Sequence, residues 1–296
     1  SPPKRPKTPL YRPMNAPAGI RLPAVQVGQH IRRRGNDIQP EDQLVGPGQY
    51  LRPQDIGLLA SVGVDCVAVF RPLTVAIMTT GDELRDPGSG DLQPGQIFNS
   101  NRFSLGAQIR ALGMTVVDLG NVPDDPAQIG SMLERAATVA ECIVTAGGVS
   151  VGEEDHVRSQ IEARGDLALW KLAIKPGKPF AFGDVLGTPF LGLPGNPVSA
   201  FVTALAIARP FLLDCQGVTH ADIVPLRQVA LFDKKGSARQ EYLRVRTGPE
   251  GVEIFEQQSS GVLYSTSWGD AMVVQKAGED ICRGHHVDVI PYVLFN

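Results

Sequence analysis

Three glycine- and proline-punctuated stretches gather the residue types that bind anions. They read Thr145-Ala146-Gly147-Gly148-Val149-Ser150-Val151-Gly152-Glu153-Glu154-Asp155, then Lys175-Pro176-Gly177-Lys178-Pro179, then Leu193-Pro194-Gly195-Asn196-Pro197. Glycine lets backbone N–H groups approach a ligand closely, lysine adds mobile positive charge, and a helix beginning just beyond adds its positive dipole end. Together they describe a site for a phosphorylated or otherwise anionic small molecule. Gly147, Gly148, Ser150, Gly152, Lys178, Pro194, Gly195 and Asn196 are its candidate substrate-binding residues. The first stretch carries neither the Gly-Lys-Ser/Thr of a P-loop nor a Gly-x-Gly-x-x-Gly. Taken alone it also reads as a tight strand-to-helix turn with no ligand.

Acidic residues cluster near these loops. Thr79-Thr80-Gly81-Asp82-Glu83-Leu84 ends an apolar run. There Thr80 is a candidate for phosphate, and Asp82 or Glu83 for a metal or a ribose hydroxyl. Asp124 precedes the helix-cap pair Asp125-Pro126. Asp155 closes an acidic run that either complements a helix dipole or supplies a Mg²⁺ ligand beside a phosphate. Lys171 and Lys175 lie four apart, so on one strand they share a face. Two lysines on an apolar segment either guard an exposed edge or meet something negative. Arg32-Arg33-Arg34 precedes Gly35-Asn36-Asp37; the triplet is a solvated face or a set of forked oxyanion contacts.

The elements that must position these groups follow from periodicity and punctuation. Residues 1–24 are rich in Pro and basic residues and read as extended or poorly ordered. Short apolar runs between Gly and Pro suggest a small β-rich region over 25–70, with one short helix at 53–61. From 73 to about 217, apolar runs alternate with amphipathic helices. Strands are expected at 73–78, 115–119, 142–145 and 167–174, and a hairpin at 180–193. Helices are expected at 101–112, from 125, at 155–164 and at 197–214. Strand–helix alternation with continuous apolar strands implies an α/β domain, its sheet mostly parallel and covered on both faces. In such sheets ligands bind at the carboxyl ends of strands, where all three loops fall. Alternating strands without an evident helix over 222–296 suggest a small antiparallel β domain.

Bulk properties narrow the function. In 296 residues, 43% are hydrophobic and 20% charged, which suits a globular protein of two or three domains. A net charge of −3 gives no reason to expect nucleic acid. No run of about 18 apolar residues suggests a membrane span. Cys66, Cys142, Cys215 and Cys282 are far apart and form no Cys-x-x-Cys, which argues against zinc and a disulfide framework and favours a reducing, cytoplasmic setting.

The motifs together resemble the molybdenum insertase family: bacterial MoeA and the E domains of gephyrin and the plant insertase. The matching segments are 28–38 (Gly-Gln-His-Ile-Arg-Arg-Arg-Gly-Asn-Asp-Ile), 80–84, 99–102 (Asn-Ser-Asn-Arg), 147–155, 170–182 and 192–200. The resemblance implies a dimer. It implies a three-layer molybdopterin-binding-like α/β domain at 71–218, flanked by a partial β-rich N-terminal region at 1–70 and a C-terminal β-barrel domain at 219–296. The usual further N-terminal domain is not recognisable in residues 1–24. The implied activity is that of a transferase, inserting molybdate into adenylylated molybdopterin with Mg²⁺ and releasing AMP, with transient contact to the upstream adenylyltransferase. Family positions fall on Arg32, Asp37, Glu83, Asp124, Asp155, Lys171 and Lys175. Of these, Glu83, Asp124, Asp155, Lys171 and Lys175 are expected to be catalytic, Arg32 to bind substrate, and Asp37, Glu83 and Asp155 to bind metal. Arg244 and Ser265 or Ser267 align more loosely. Three alternatives stay open: a molybdopterin adenylyltransferase-like enzyme, a nucleotide amidohydrolase, and a molybdopterin-binding or scaffold module.

Overall fold

Apolar, β-branched runs build the first sheet. A computed structural model describes residues 26–148 and 156–295. The chain divides into two compact units, 1–44 and 45–296. In the smaller unit the described residues form successive turns.

The larger unit opens with α1 (Pro53–Ser61), started by Pro53 and a reciprocal Arg52–Asp55 interaction at its N-terminus. Three strand–helix steps follow: β1 (Thr74–Thr80), the short β2 (Leu84–Arg85) and β3 (Ile97–Phe98), α2 (Ser100–Ala111), β4 (Thr115–Val122), α3 (Pro126–Val139), β5 (Cys142–Ala146) and α4 (His156–Glu162). Then come β6 (Leu167–Lys171), β7 (Ile174–Lys175) and the β8–β9 hairpin (Pro179–Val185, Thr188–Leu193). The hairpin turns on Leu186-Gly187, both at positive φ. A continuous helical stretch of 19 residues, Pro197–Cys215, comprises α5 (Pro197–Thr203), a π turn and α6 (Arg209–Cys215). It is long and apolar enough to cross a membrane, yet Val198, Val202, Leu205, Ala208 and Leu212 are buried in the fold.

The sheet order is β4-β1-β5-β9-β8-β6. The first four strands are parallel, and β8 reverses between β9 and β6. The chain leaves β1 for β4 on one side and returns to β5 on the other, so the switch crevice opens between the tips of β1 and β5. Apolar layers cover both faces. One joins Ile77, Val144, Leu193 and Leu212 under α2 and α6; the other joins Met78, Ile143, Phe190 and Ile161 under α3 and α4. Each such fully buried side chain contributes roughly 1.5–3 kcal/mol.

The C-terminal strands β10 (Leu226–Val229), β11 (Gln240–Gly248), β12 (Gly251–Ile254), β13 (Ala271–Gln275) and β14 (His286–Pro291) form a second sheet in the order β10-β14-β13-β11-β12. An Ala230–Val252 bridge brings its ends together, giving the expected barrel-like closure. The two sheets are joined by β7, which pairs in parallel with β11.

Three expectations change. No strand forms among the described residues before β1: Pro40, Pro47 and Pro53 and positive-φ Gly28, Gly35, Gly48 and Gly63 break each short apolar run. The apolar run 167–174 is two strands in two sheets, because Leu172 N–H turns to the Lys178 carbonyl and releases Ile174 to β11. The barrel region contains the short helix α7 (Tyr264–Trp268), held by Ser265 and Thr266 hydroxyls donating to the Val262 and Leu263 carbonyls, and ends in a 3-10 turn at Tyr292–Phe295.

Candidate functional site

Strand register brings the loops to one level. Thr79 lies beside Ala146, Thr80 beside Val122, and Ala146 beside Leu193. The next residues of the four parallel strands, Gly81, Pro123, Gly147 and Pro194, therefore emerge together at the carboxyl edge. Gly147 N–H donates to the Leu193 carbonyl at 3.2 Å. The approach of these tips demands glycine. Gly147 has φ +96°, and a Cβ there would lie 2.5 Å from the Thr80 carbonyl oxygen. A Cβ on Gly148, at φ +65°, would meet Thr80 Oγ1 at 2.6 Å, and one on Gly195 would lie 3.6 Å from Gly147 Cα. Thr80 is buried, and its Oγ1 has no hydrogen-bond partner among the described residues.

Asparagines brace these tips. Asn99 caps α2 by accepting from Arg102 N–H, and its Nδ2 donates to Thr79 Oγ1 at 2.7 Å. Thr79 Oγ1 donates to Asn121 Oδ1 at 3.2 Å, and Asn121 Nδ2 donates to the Gly81 carbonyl at 3.1 Å. Asn101 Nδ2 holds the Gly195 carbonyl at 2.7 Å. Arg102 ties α2 to Asp118 and Asp86; hydrogen bonding to Asp118 raises its pKa against the effect of burial. Asn99 and Asn101 were legible only as motif matches. Asn121 had a signal of its own, since asparagine is depleted inside strands.

The candidate residues then fall into groups. Glu83 and Asp124 are exposed at the β1 and β4 tips, where Asp124 N–H donates to Asp82 Oδ1 at 3.0 Å. Thr80, Gly147, Gly148, Pro194, Gly195 and Asn196 surround the switch crevice. Asn196 occupies the N-cap position of α5 but makes no side-chain cap bond. Lys171 ends β6 on the same carboxyl edge, because β6 runs parallel to β5. It stands three strand spacings from β5, about 14 Å. Lys171 and Lys175 do not share one strand face. Lys175 sits in the seam with the barrel, where its Nζ donates to Glu241 Oε1 at 3.1 Å. Lys178 is exposed on the turn between, and Gly177 packs this turn against α5: its φ is +111°, and a Cβ would collide with the Thr203 methyl. Ser150, Gly152 and Asp155 lie outside the described residues. Arg32 and Asp37 belong to the smaller unit.

The barrel meets α5 as well. Ser260 carbonyl accepts from Val198 N–H at 3.0 Å. Next to it, buried Arg244 donates to Ser265 Oγ, the Tyr242 carbonyl and the Ser259 carbonyl. Burial pushes its pKa down to about 10, opposed by Tyr292 and Glu241, so it stays cationic at neutral pH. Among the described residues no three His, Cys, Asp or Glu side chains form a metal-binding group. The acidic rim of Asp82, Glu83 and Asp124 can still offer one or two ligands to an ion such as Mg²⁺, which fills its remaining positions with water and phosphate oxygens. A mostly apolar hollow lined by Leu105, Ile109, Ala208 and Leu212, with Gln108 and Arg209 as its polar members, lies inside the core layer.

Comparison with known proteins bears on the family and the fold. Residues 76–214 match a probable molybdopterin binding domain, and residues 11–63 match the MoeA N-terminal region, domains I and II. Molybdopterin molybdenumtransferase of Haemophilus influenzae is 43% identical over 189 residues, covering 64% of this chain and 46% of that protein. The Synechococcus elongatus molybdopterin molybdenumtransferase is 34% identical over 272 residues, covering 90% of this chain and 67% of that one. A crystal structure of the molybdopterin-biosynthesis MoeA protein of Pyrococcus horikoshii superposes with a TM-score of 0.75 at 30% identity, covering 88% of this chain and 64% of that chain. The chain spans 46% of the Haemophilus protein and 48% of a Mycobacterium tuberculosis one, about half the length of each. Its agreement with the Synechococcus protein, a third of aligned positions identical and two thirds of that protein spanned, places the chain in the MoeA family of molybdopterin molybdenumtransferases.

Proposed function

We propose that the protein inserts molybdate into adenylylated molybdopterin and releases AMP, a step of molybdenum cofactor biosynthesis. One observation carries this reading. A single carboxyl edge presents glycine turns at the β1–β5 crevice, carboxylates on one side of it and Lys171 on the other. The glycine turns offer close backbone approach to the phosphates. Lys171, Lys175 and Lys178 offer ammonium groups to molybdate, a dianion that carboxylates would repel. Glu83 and Asp124 position water or a divalent ion at the phosphoanhydride. Mg²⁺, when bound there, supplies charge that stabilises the departing phosphate. Molybdenum meets soft sulfur ligands belonging to the substrate, so no cysteine cluster is required. The same reading carries the expectation of a homodimer, transient contact with the adenylyltransferase that makes the substrate, and action in the cytoplasm.

The test is AMP release from adenylylated molybdopterin with and without molybdate and Mg²⁺. Release that depends on molybdate supports the proposal, and Glu83→Gln should lower it about 100-fold or more while substrate binding persists. Tight substrate binding with no molybdate-dependent AMP would instead make the protein a binding module.

A further inference from the structure

Glu241 is almost completely buried in β11, with 2% of its side chain exposed, and two ammonium groups face it. Lys175 Nζ lies 3.1 Å from one carboxylate oxygen and Lys234 Nζ 3.5 Å from the other. Burial works to raise the Glu241 pKa, but Ser237, Lys175 and Lys234 outweigh it and hold the carboxyl below its ordinary value. One buried negative charge is thus balanced twice. The two lysines are not equivalent. Lys234 is 26% exposed, and its backbone is fixed by reciprocal hydrogen bonds with Ile281 at 2.8 and 2.9 Å. Lys175 is 43% exposed and precedes the turn that carries Lys178.

We infer that Lys234 is a positioning residue for Lys175: by keeping Glu241 neutralised, it frees the Lys175 ammonium to turn to a bound oxyanion. The inference rests on the reading that Lys175 meets molybdate. A buried carboxylate stripped of its counter-ion is strongly disfavoured, so a solitary lysine would stay pinned to Glu241. With two lysines the cluster carries one surplus positive charge, and the more exposed ammonium is the one that can leave.

Calorimetric titration of the protein with inorganic molybdate tests this. Lys234→Gln should weaken binding about tenfold, the weight of one charge-assisted contact. Lys234→Arg should restore it, since charge and ion pair return. Lys234→Gln combined with Glu241→Gln should also recover binding, because Lys175 is no longer pinned. Lys235→Gln removes the same charge from an exposed neighbour paired with Asp280, and should bind as wild type. Lys234→Gln binding as wild type would overturn the inference alone, as would a double variant as weak as Lys234→Gln. A folded wild-type protein that takes up no molybdate would overturn the functional proposal and this inference together.

Discussion

Substituting Gly147 tests the geometry on which the crevice depends. Its φ of +96° is strained for any side chain, and an added methyl would lie 2.5 Å from the Thr80 carbonyl oxygen. That oxygen is backbone at the end of β1, a strand paired on both edges, so it cannot rotate aside. Left-handed backbone costs Gly147→Ala about 1–2 kcal/mol. Overpacking adds about 1–3 kcal/mol. Gly113→Ala is the matched control: its φ is +77°, but nothing lies within 4 Å of the new methyl, so it incurs the backbone cost alone. The difference isolates the steric cost of the Thr80–Gly147 approach, about 1–3 kcal/mol. For a protein of this size that corresponds to roughly 2–10 °C in melting temperature. Calorimetric melts of both variants measure it. Gly147→Ala should also weaken binding of the proposed nucleotide substrate, whereas Gly113→Ala should not. Two variants melting together, with equal affinity, would show that the tips have room to separate and that the close approach is unnecessary.

Two further outcomes follow from burial and charge. Cys142 is fully buried, and desolvation, helped by Cys215, pushes its pKa up to about 12, so it should resist thiol reagents in the native protein while Cys66 and Cys282 react. Counting labelled cysteines by peptide mass spectrometry checks this, and rapid native labelling of Cys142 would contradict the packing of β5. The Glu241 carboxyl, held below its ordinary value, contributes stability that is complete above the unfolded-state pKa and fades as pH falls through the folded-state pKa. Urea melts at stepped pH should therefore show the wild-type advantage over Glu241→Gln shrinking below about pH 4.3; a pH-independent difference would mean Glu241 is not ionised in the fold.

Local signals made much of this fold readable. Pro53 opens α1, Asp125 caps α3 by accepting from Gln128 N–H, and Leu186-Gly187 turns the β8–β9 hairpin. Each is a short-range constraint, so sequence spacing suffices. The glycine turns were readable for the same reason: two tips can meet only where a Cβ is missing. What escaped were choices made by distant partners. Nothing between Leu167 and Ile174 says that the run must split, because the split is decided by β11, some 66 residues later in the chain. α7 has serine, threonine and aromatic residues, all modest helix formers, and depends on side-chain bonds to the carbonyls of Val262 and Leu263 just before it and on Arg246, which stacks 4.4 Å over Trp268. Arg244 and Ser265 were visible only through loose resemblance, since their contact links a strand to a helix across the barrel.

The split of β6 from β7 also bears on what the edge can do. Had Lys171 and Lys175 shared one strand face, they would have formed a single pair with no fixed counter-charge. Instead Lys171 ends the first sheet, while Lys175 enters the second opposite a buried carboxylate. The carboxyl edge thereby acquires polarity: carboxylates at the β1 and β4 tips, glycine turns at β5 and β9, and ammonium groups beyond β8. From β1 to β6 is four strand spacings, about 19 Å. Carboxylates and lysines that far apart are more than a Debye length from one another at physiological ionic strength, about 8 Å. Neither group need neutralise the other. Each keeps its charge for a ligand lying along the edge, so the proposed phosphate-linked substrate would meet carboxylates at one end and ammonium groups at the other. Because β11 holds Lys175 in the seam, a variant that breaks the β7–β11 pairing while leaving the first sheet folded should lose oxyanion binding and keep nucleotide binding.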